Sequence, residues 1–239
     1  MSDNQYALVV GGTRGTGLLI AQLLQRAGAN VRVLSRDPAR AAARLGPAFT
    51  VVAGDITKQE TLPPAIEGVT HVFFTAGVPS GRPSGEARIR ATEYQGVVNT
   101  LAAARRTGFH GRFLYMTASG ADVPSLASVF LNLYKGNTLV WRRRAEDEIR
   151  ASGLDYTIIR AGILLNSPGG QRAVTVSQDP LPLSLRYRIA RADVADGFVA
   201  ALDHPRASRA TFDVVWGSGH RVETWITMLD RVRPDPISS

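Results

Sequence analysis

Six residues near the start of the chain have the types and spacing to hold phosphate. They are Gly11, Gly12, Gly15 and Gly17, with Arg14 inside that run and Arg36 just past the next apolar stretch. The glycines follow the apolar, β-branched residues 6–10 and lead into Leu18, Leu19, Ala21, Leu23 and Leu24, which repeat with helical period. A strand that breaks into glycines and restarts as a helix aims backbone N–H groups and a positive helix N-terminus at one spot, which suits a pyrophosphate. The glycines read G-x-x-x-G-x-G rather than G-x-G-x-x-G, yet the three roles survive. One lets the chain turn, one lets backbone approach phosphate, and one lets helix pack on strand. The candidate cofactor set therefore begins with Gly11, Thr13, Arg14, Gly15, Thr16 and Gly17.

The second strand pattern, residues 31–34, sharpens the ligand. An NAD site usually places Asp or Glu at the end of that strand to hold the ribose 2′-hydroxyl. Here Ser35-Arg36 stands there instead. A guanidinium grips a 2′-phosphate in bidentate fashion, and Arg14 can approach it from the other side, so NADP(H) is the expected cofactor. The alternative for Arg36 is a solvated side chain paired with Asp37 or Asp3. Asp55 closes the third strand, where a carboxylate suits the adenine amino group and Ile56 suits the ring. Thr57 and Glu60 have capping-box spacing, which would leave Asp55 free for a ligand. Thr75, Ala76 and Gly77 end the fourth strand, small enough for a ribose to pass the backbone.

The rest of the chain must position these residues. Strand and helix patterns alternate: strands at 31–34, 50–53, 69–75, 112–116 and 156–159, helices at 38–45, 59–67, 88–106 and 139–151. That alternation predicts an α/β fold, a Rossmann-like, doubly wound parallel sheet in a single domain of residues 1–239. Its core would occupy about residues 5–165, with 166–239 completing sheet and pocket through a helix at 191–202, a strand at 211–215 and a helix at 223–232. Two stretches break the rhythm, residues 120–136 and 167–183. Both leave from strand C-termini, so they are expected either as walls or lids of a substrate pocket or as loops packing on the core or a dimer contact.

Composition excludes several classes. The chain has no cysteine, so thiolate catalysis and disulfides are out. The histidines show no metal-like spacing, and no metal is expected. The net charge of +8 raises the question of nucleic acid. The densest basic run, Arg142-Arg143-Arg144, is followed four places on by Glu146, Asp147 and Glu148, so it is expected to neutralise itself on a helix. No aromatic platform interleaves with it, and nucleic acid is not an expected partner. No apolar run approaches the about 20 residues that cross a bilayer. A cytoplasmic monomer or homodimer with a small-molecule substrate is expected, without a membrane partner.

Several blocks resemble the atypical short-chain dehydrogenase/reductase proteins, in particular the NmrA-like group and its plant chloroplast homologues. They are GGTRGTG at 11–17, SRDPAR at 35–40, AGDIT at 53–57, GNTLVWRRRAE at 136–146, SGLDYTIIRAGIL at 152–164 and IARADVADGFVAAL at 189–202. The resemblance implies a Rossmann fold with NADP(H) across the strand ends, and it implies that Ala161, Gly162 and Ile163 lie beside the nicotinamide. It also exposes a gap. Typical members use Tyr-x-x-x-Lys for proton exchange. The two lysines here, Lys58 and Lys135, have Gly54 and Leu131 four places before them. Where the atypical group has Trp-Lys, this chain has Trp141-Arg142, and arginine does not trade protons.

Thr117, Ser119 and Arg142 are the remaining candidates for work at the substrate. Two functions fit. One is an NADP(H)-dependent oxidoreductase delivering hydride to a small conjugated acceptor of quinone or flavin type, which needs little acid help. The other is a non-catalytic NADP(H)-sensing regulatory protein of NmrA-like type.

Overall fold

The structure is a computed structural model that describes residues 6–78 and 84–236. In chain order it forms β1 (Tyr6–Val10), α1 (Gly15–Arg26), β2 (Asn30–Ser35), α2 (Pro38–Leu45), β3 (Thr50–Ala53), α3 (Pro63–Ile66) and β4 (His71–Phe74). Then come α4 (Glu86–Ile89), α5 (Gly96–Arg106), β5 (Arg112–Ala118), α6 (Leu126–Tyr134), α7 (Thr138–Arg150), β6 (Asp155–Ala161), β7 (Ile163–Leu165), β8 (Arg172–Ser177), β9 (Arg188–Ala190), α8 (Arg191–Ala201), β10 (Ala210–His220) and α9 (Trp225–Leu229). No helix among the described residues is long and apolar enough to cross a membrane.

Eight strands make one sheet in the order β3-β2-β1-β4-β5-β6-β10-β8, parallel except for β8, and β7 pairs with β9 in a small second sheet. This is the doubly wound α/β fold that the alternating pattern predicts. Successive strand residues face opposite layers. Val9 and Phe73 pack with Ile20 and Leu24 of α1 and Phe198 of α8. Leu8, Val10 and Phe74 pack with Val97 and Leu101 of α5 and Ile149 of α7. Because both faces are covered, the central strands are apolar throughout rather than alternating. Burying a side chain such as Phe73 or Phe74 contributes about 1.5–3 kcal/mol. The strand order reverses between β1 and β4, and the crevice at that switch point, outside the strand C-termini, is where such sheets take ligands.

Several local expectations change. The predicted 59–67 helix is a 3-10 turn at Gln59–Thr61 followed by α3, because Pro63 and Pro64 lack the N–H groups that a continuous helix would need. The two excursions contain regular structure. Residues 120–136 hold α6, whose start is fixed by reciprocal hydrogen bonds between Ser125 and Ser128. Residues 167–183 hold β8, the antiparallel edge. On α6, Leu126, Val129, Phe130 and Leu133 are exposed. The arginine run does not neutralise itself as expected. Only Arg143 meets its partner four places on, Asp147, at 3.3 Å, whereas Arg142 turns to Glu93 and Arg144 lies over the Trp141 ring.

Between α4 and α5 the helix widens into a π-turn over Arg90–Gln95. The extra residue rotates Glu93 inward, and it is buried at 1% exposure. Wide turns of this kind recur at functional sites, and this one supplies the charge at the centre of the site below.

Candidate functional site

The glycine turn between β1 and α1 forms a cradle at the switch point. Gly11 has φ +91, and a Cβ there would stand 2.8 Å from the Ala76 backbone nitrogen, so the turn lies directly against the end of β4. Thr75 ties the two together, its hydroxyl donating to the Val10 carbonyl at 3.0 Å. A Cβ on Gly17 would run into the Gly11 carbonyl and the Thr75 hydroxyl. Gly15, at φ +57, faces open space. Helix α1 has no capping side chain and no acid in its first turn, so its positive N-terminus is uncompensated. Thr16 Oγ1 is buried there without a hydrogen-bond partner among the described residues. A bare helix N-terminus, an orphaned hydroxyl and a turn that excludes side chains together fit a bound pyrophosphate. Thr13 and Arg14 border the cradle, and Arg14 is exposed.

Arg36 follows β2, exposed and without a hydrogen bond or ion pair among the described residues. Asp37 does not pair with it but caps α2, accepting from the Arg40 amide at 3.1 Å, and Asp3 lies outside the described residues. The expected freedom of Asp55 does not hold. Its Oδ1 accepts from both the amide and the hydroxyl of Thr57 at 2.9 Å, and Lys58, not Thr57, precedes the following turn. This Asx-type turn consumes the hydroxyl that a capping box would need, and it leaves Oδ2 open. Ile56 packs on α5 at Gly96, and its carbonyl accepts from Asn99 at 2.8 Å.

At the other end of the crevice the structure gathers groups that lie far apart in the chain. Arg142 on α7 donates from Nε to Glu93 Oε2 at 2.8 Å. The Thr138 hydroxyl, one helical turn earlier on the same face, donates to the same oxygen at 2.5 Å. Glu93 Oε1 accepts from the Val78 amide at 3.0 Å. Burial works to raise the Glu93 pKa, but the Arg142 charge and these hydrogen bonds bring it below the ordinary carboxylate value. Arg142 Nη2 lies 3.0 Å from where a Gly77 Cβ would stand, so the guanidinium packs closely on the chain that follows β4. Lys135, at the end of α6, is buried and donates to the Val78 carbonyl at 3.3 Å. Burial lowers its pKa, with Glu93 opposing.

The strand ends beside this group carry Thr117 and Ser119. Thr117 Oγ1 is buried without a hydrogen-bond partner among the described residues, and the Ser119 hydroxyl lies 3.5 Å from the Arg160 carbonyl. The Ser119 amide continues the β5 ladder to the Ala161 carbonyl at 3.0 Å. Ala161 ends β6, and the Gly162 amide bonds the Val214 carbonyl at 3.1 Å. Gly162 admits no side chain, since a Cβ would stand 2.7 Å from the Tyr187 carbonyl. Ile163 opens β7. Arg160 turns to the α7 face, bound to Glu146 and Asp122 at 2.5 Å each. Asp193, the acid in the first turn of α8, also anchors the 167–183 excursion, accepting from the Gly170 amide at 2.7 Å and from Trp216 Nε1 at 2.8 Å.

The sequence reading missed Glu93, Thr138 and Lys135. Thr138 and Arg142 do share the i, i+4 spacing of one helix face, a signal that could have found the pair. Nothing local marks Glu93, since its inward direction comes from the π-turn, or Lys135, which arrives from a separate helix.

Over 250 aligned residues the chain is 29% identical to sanguinarine reductase of Eschscholzia californica, covering 89% of this chain and 90% of that protein. A putative NAD-dependent epimerase/dehydratase from Bacillus halodurans superposes with a TM-score of 0.78 at 24% identity, over 95% of this chain and 100% of that one. ChuY, an anaerobillin reductase from Escherichia coli O157:H7, superposes with a TM-score of 0.70 at 20% identity, over 88% of this chain and 97% of that one. These two likenesses establish the fold. The profile of the NAD(P)H-binding family matches residues 11–205, from the glycine turn to beyond α8. The chain therefore belongs to this NAD(P)H-binding, oxidoreductase-like Rossmann family, in keeping with its resemblance to the atypical short-chain dehydrogenase/reductase proteins.

Proposed function

We propose that the protein is an NADP(H)-dependent oxidoreductase that reduces a small conjugated acceptor of quinone or flavin type. The observation that carries this reading is the pairing of a cradle that excludes side chains, at Gly11 and Gly17, with a buried charge cluster at the other end of the same crevice. In this reading Thr13, Arg14, Gly15 and Thr16 hold the pyrophosphate, and Arg36 takes the 2′-phosphate. Asp55 Oδ2 and Ile56 meet the adenine, Thr75 to Gly77 pass the ribose, and Ala161 to Ile163 border the nicotinamide. The bound cofactor supplies a hydride. Arg142, held by Glu93, orients ribose or acceptor oxygens, and Thr117 and Ser119 offer hydroxyls at the strand ends. The likeness to a protein named sanguinarine reductase supports a reductase reading.

A second reading, an NADP(H)-sensing protein without turnover, draws on the locked Arg142–Glu93 pair, in which no group trades protons readily. One experiment separates the two. NADPH and NADH are titrated against the protein, and NADPH oxidation is then followed with a panel of quinones and flavins. Tighter binding of NADPH with turnover of at least one acceptor supports the enzyme. Binding without turnover of any acceptor supports the sensor.

A further inference from the structure

Strand β10 carries a carboxyl that the reading above leaves unused. Asp213 stands directly opposite Arg160 on β6, which stands opposite Thr117 on β5, so the three form one row across the sheet just short of the β5 and β6 ends. The neighbours of Asp213, Phe212 and Val214, pack on the other face with α8, which leaves Asp213 on the α7 side with the candidate site. Asp213 is 1% exposed, and its Oδ1 has no hydrogen-bond partner among the described residues. The Ser119 hydroxyl lies beside its carboxyl, as does the Leu181 backbone amide of the 167–183 excursion. The same excursion covers the site, with Leu183 against Gly120 and its carbonyl accepting from Ser125 at 3.0 Å.

Burial pushes the Asp213 carboxyl up to about 6, while the Ser119 hydroxyl, the Arg160 charge and the Leu181 amide restrain the rise and Glu146 adds to it. These groups face it from β5, β6, the excursion and α7. Asp122 bears on it only through Arg160, and β8 offers the uncharged Ser177 opposite. A purely structural residue here would satisfy both of its polar atoms, because an orphaned buried carboxyl oxygen costs free energy. A buried acid beside a hydroxyl at the strand ends is instead placed to supply protons.

We propose that Asp213 is the proton reserve of the site, recharging the Ser119 hydroxyl as Ser119 delivers its own proton to the acceptor oxygen. The proposal rests on the oxidoreductase reading above. The acceptor gains two electrons and one hydrogen as hydride from NADPH, which is oxidised to NADP+, and it needs one more proton at its oxygen. That proton leaves Ser119 Oγ, and the O–H bond of Ser119 is remade with the carboxylic proton of Asp213. Asp213 is left as a carboxylate and is reprotonated by one proton from bulk solvent. NADPH, one proton and the acceptor thus give NADP+ and the reduced acceptor. Ser119 is the catalytic residue, and Asp213 acts through it as a positioning residue, in a task that Tyr-x-x-x-Lys performs elsewhere.

The test follows reduction of 9,10-phenanthrenequinone by NADPH across pH 5–9. The wild-type rate should be flat below about pH 6 and fall tenfold per unit above it, because only the protonated acid donates. Asp213→Asn should react about 10²-fold more slowly at low pH and lose this limb, with NADPH affinity by fluorescence within twofold. Ser119→Ala should do the same, and the double variant should be no slower than either single one. An Asp213→Asn variant that keeps the wild-type profile overturns the proposal, whereas NADPH binding without quinone reduction at any pH overturns the oxidoreductase reading on which it rests. A second measurement needs no cofactor. In a carboxyl 13C NMR titration, Ser119→Ala should raise the Asp213 midpoint, since the restraining hydroxyl is gone. An unmoved midpoint overturns the coupling. If NADPH does not bind, the oxidoreductase reading fails, and this titration still decides the Ser119–Asp213 link.

Discussion

Glu93 Oε2 binds Arg142 Nε at 2.8 Å from inside a π-turn, joining two helices at the end of the cofactor crevice. Glu93→Gln leaves a mostly buried guanidinium without its counter-charge and should cost about 3–5 kcal/mol of stability. The sign of the pH dependence follows from the lowered folded pKa. Glu93 contributes stability above its ordinary value of 4.5, and this is lost as pH falls through the folded value. Urea midpoints measured from pH 7 to 3 should therefore fall more steeply for wild type than for Glu93→Gln.

Gly17 and Gly28 separate two kinds of glycine. Gly17→Ala drives a methyl into the Gly11 carbonyl and the Thr75 hydroxyl, so the turn must open and NADPH binding should weaken at least tenfold. Gly28, at φ +87 in open space after α1, meets only backbone strain, of about 1 kcal/mol. Calorimetric titration of Gly28→Ala should give an NADPH affinity within about twofold of wild type.

Arg36 is exposed and has no hydrogen bond or ion pair among the described residues. Arg36→Glu should leave the thermal midpoint within about 2 °C, since isolated surface changes stay near 0.5 kcal/mol. The same variant should weaken NADPH by about 10²-fold and NADH by much less. Equal losses for the two cofactors in a fluorescence titration would remove Arg36 from the 2′-phosphate site.

Asp213 should make the fold less stable as pH rises. Its carboxyl moves from 3.8 in the open chain to about 6 in the fold, so the folded state binds more protons between those values. Stability then falls through that window by on the order of 3 kcal/mol from this group. Asp213→Asn should be more stable than wild type at pH 7.5, and the gain should vanish at pH 4. Chemical denaturation at the two pH values measures it.

The chain's sequence by itself determined the α/β alternation, the glycine turn, the strand-end arginine and the absence of Tyr-x-x-x-Lys. Each of these is short-range: a period of two or 3.6, a backbone angle that needs glycine, a spacing of four. Tertiary structure decided how the far end of the crevice is built. Glu93 faces inward only because the helix widens around it, and Lys135 reaches Val78 only because α6 packs beside α7. Asp55 was expected to be free on a capping argument, and Thr57 holds one of its oxygens instead. Asp213, Arg160 and Thr117 stand about 50 residues apart in the chain, and only strand register sets them in one row. The desolvation that tunes Asp213 belongs to that row and to the excursion covering it, and burial of this kind has no local signature in a sequence.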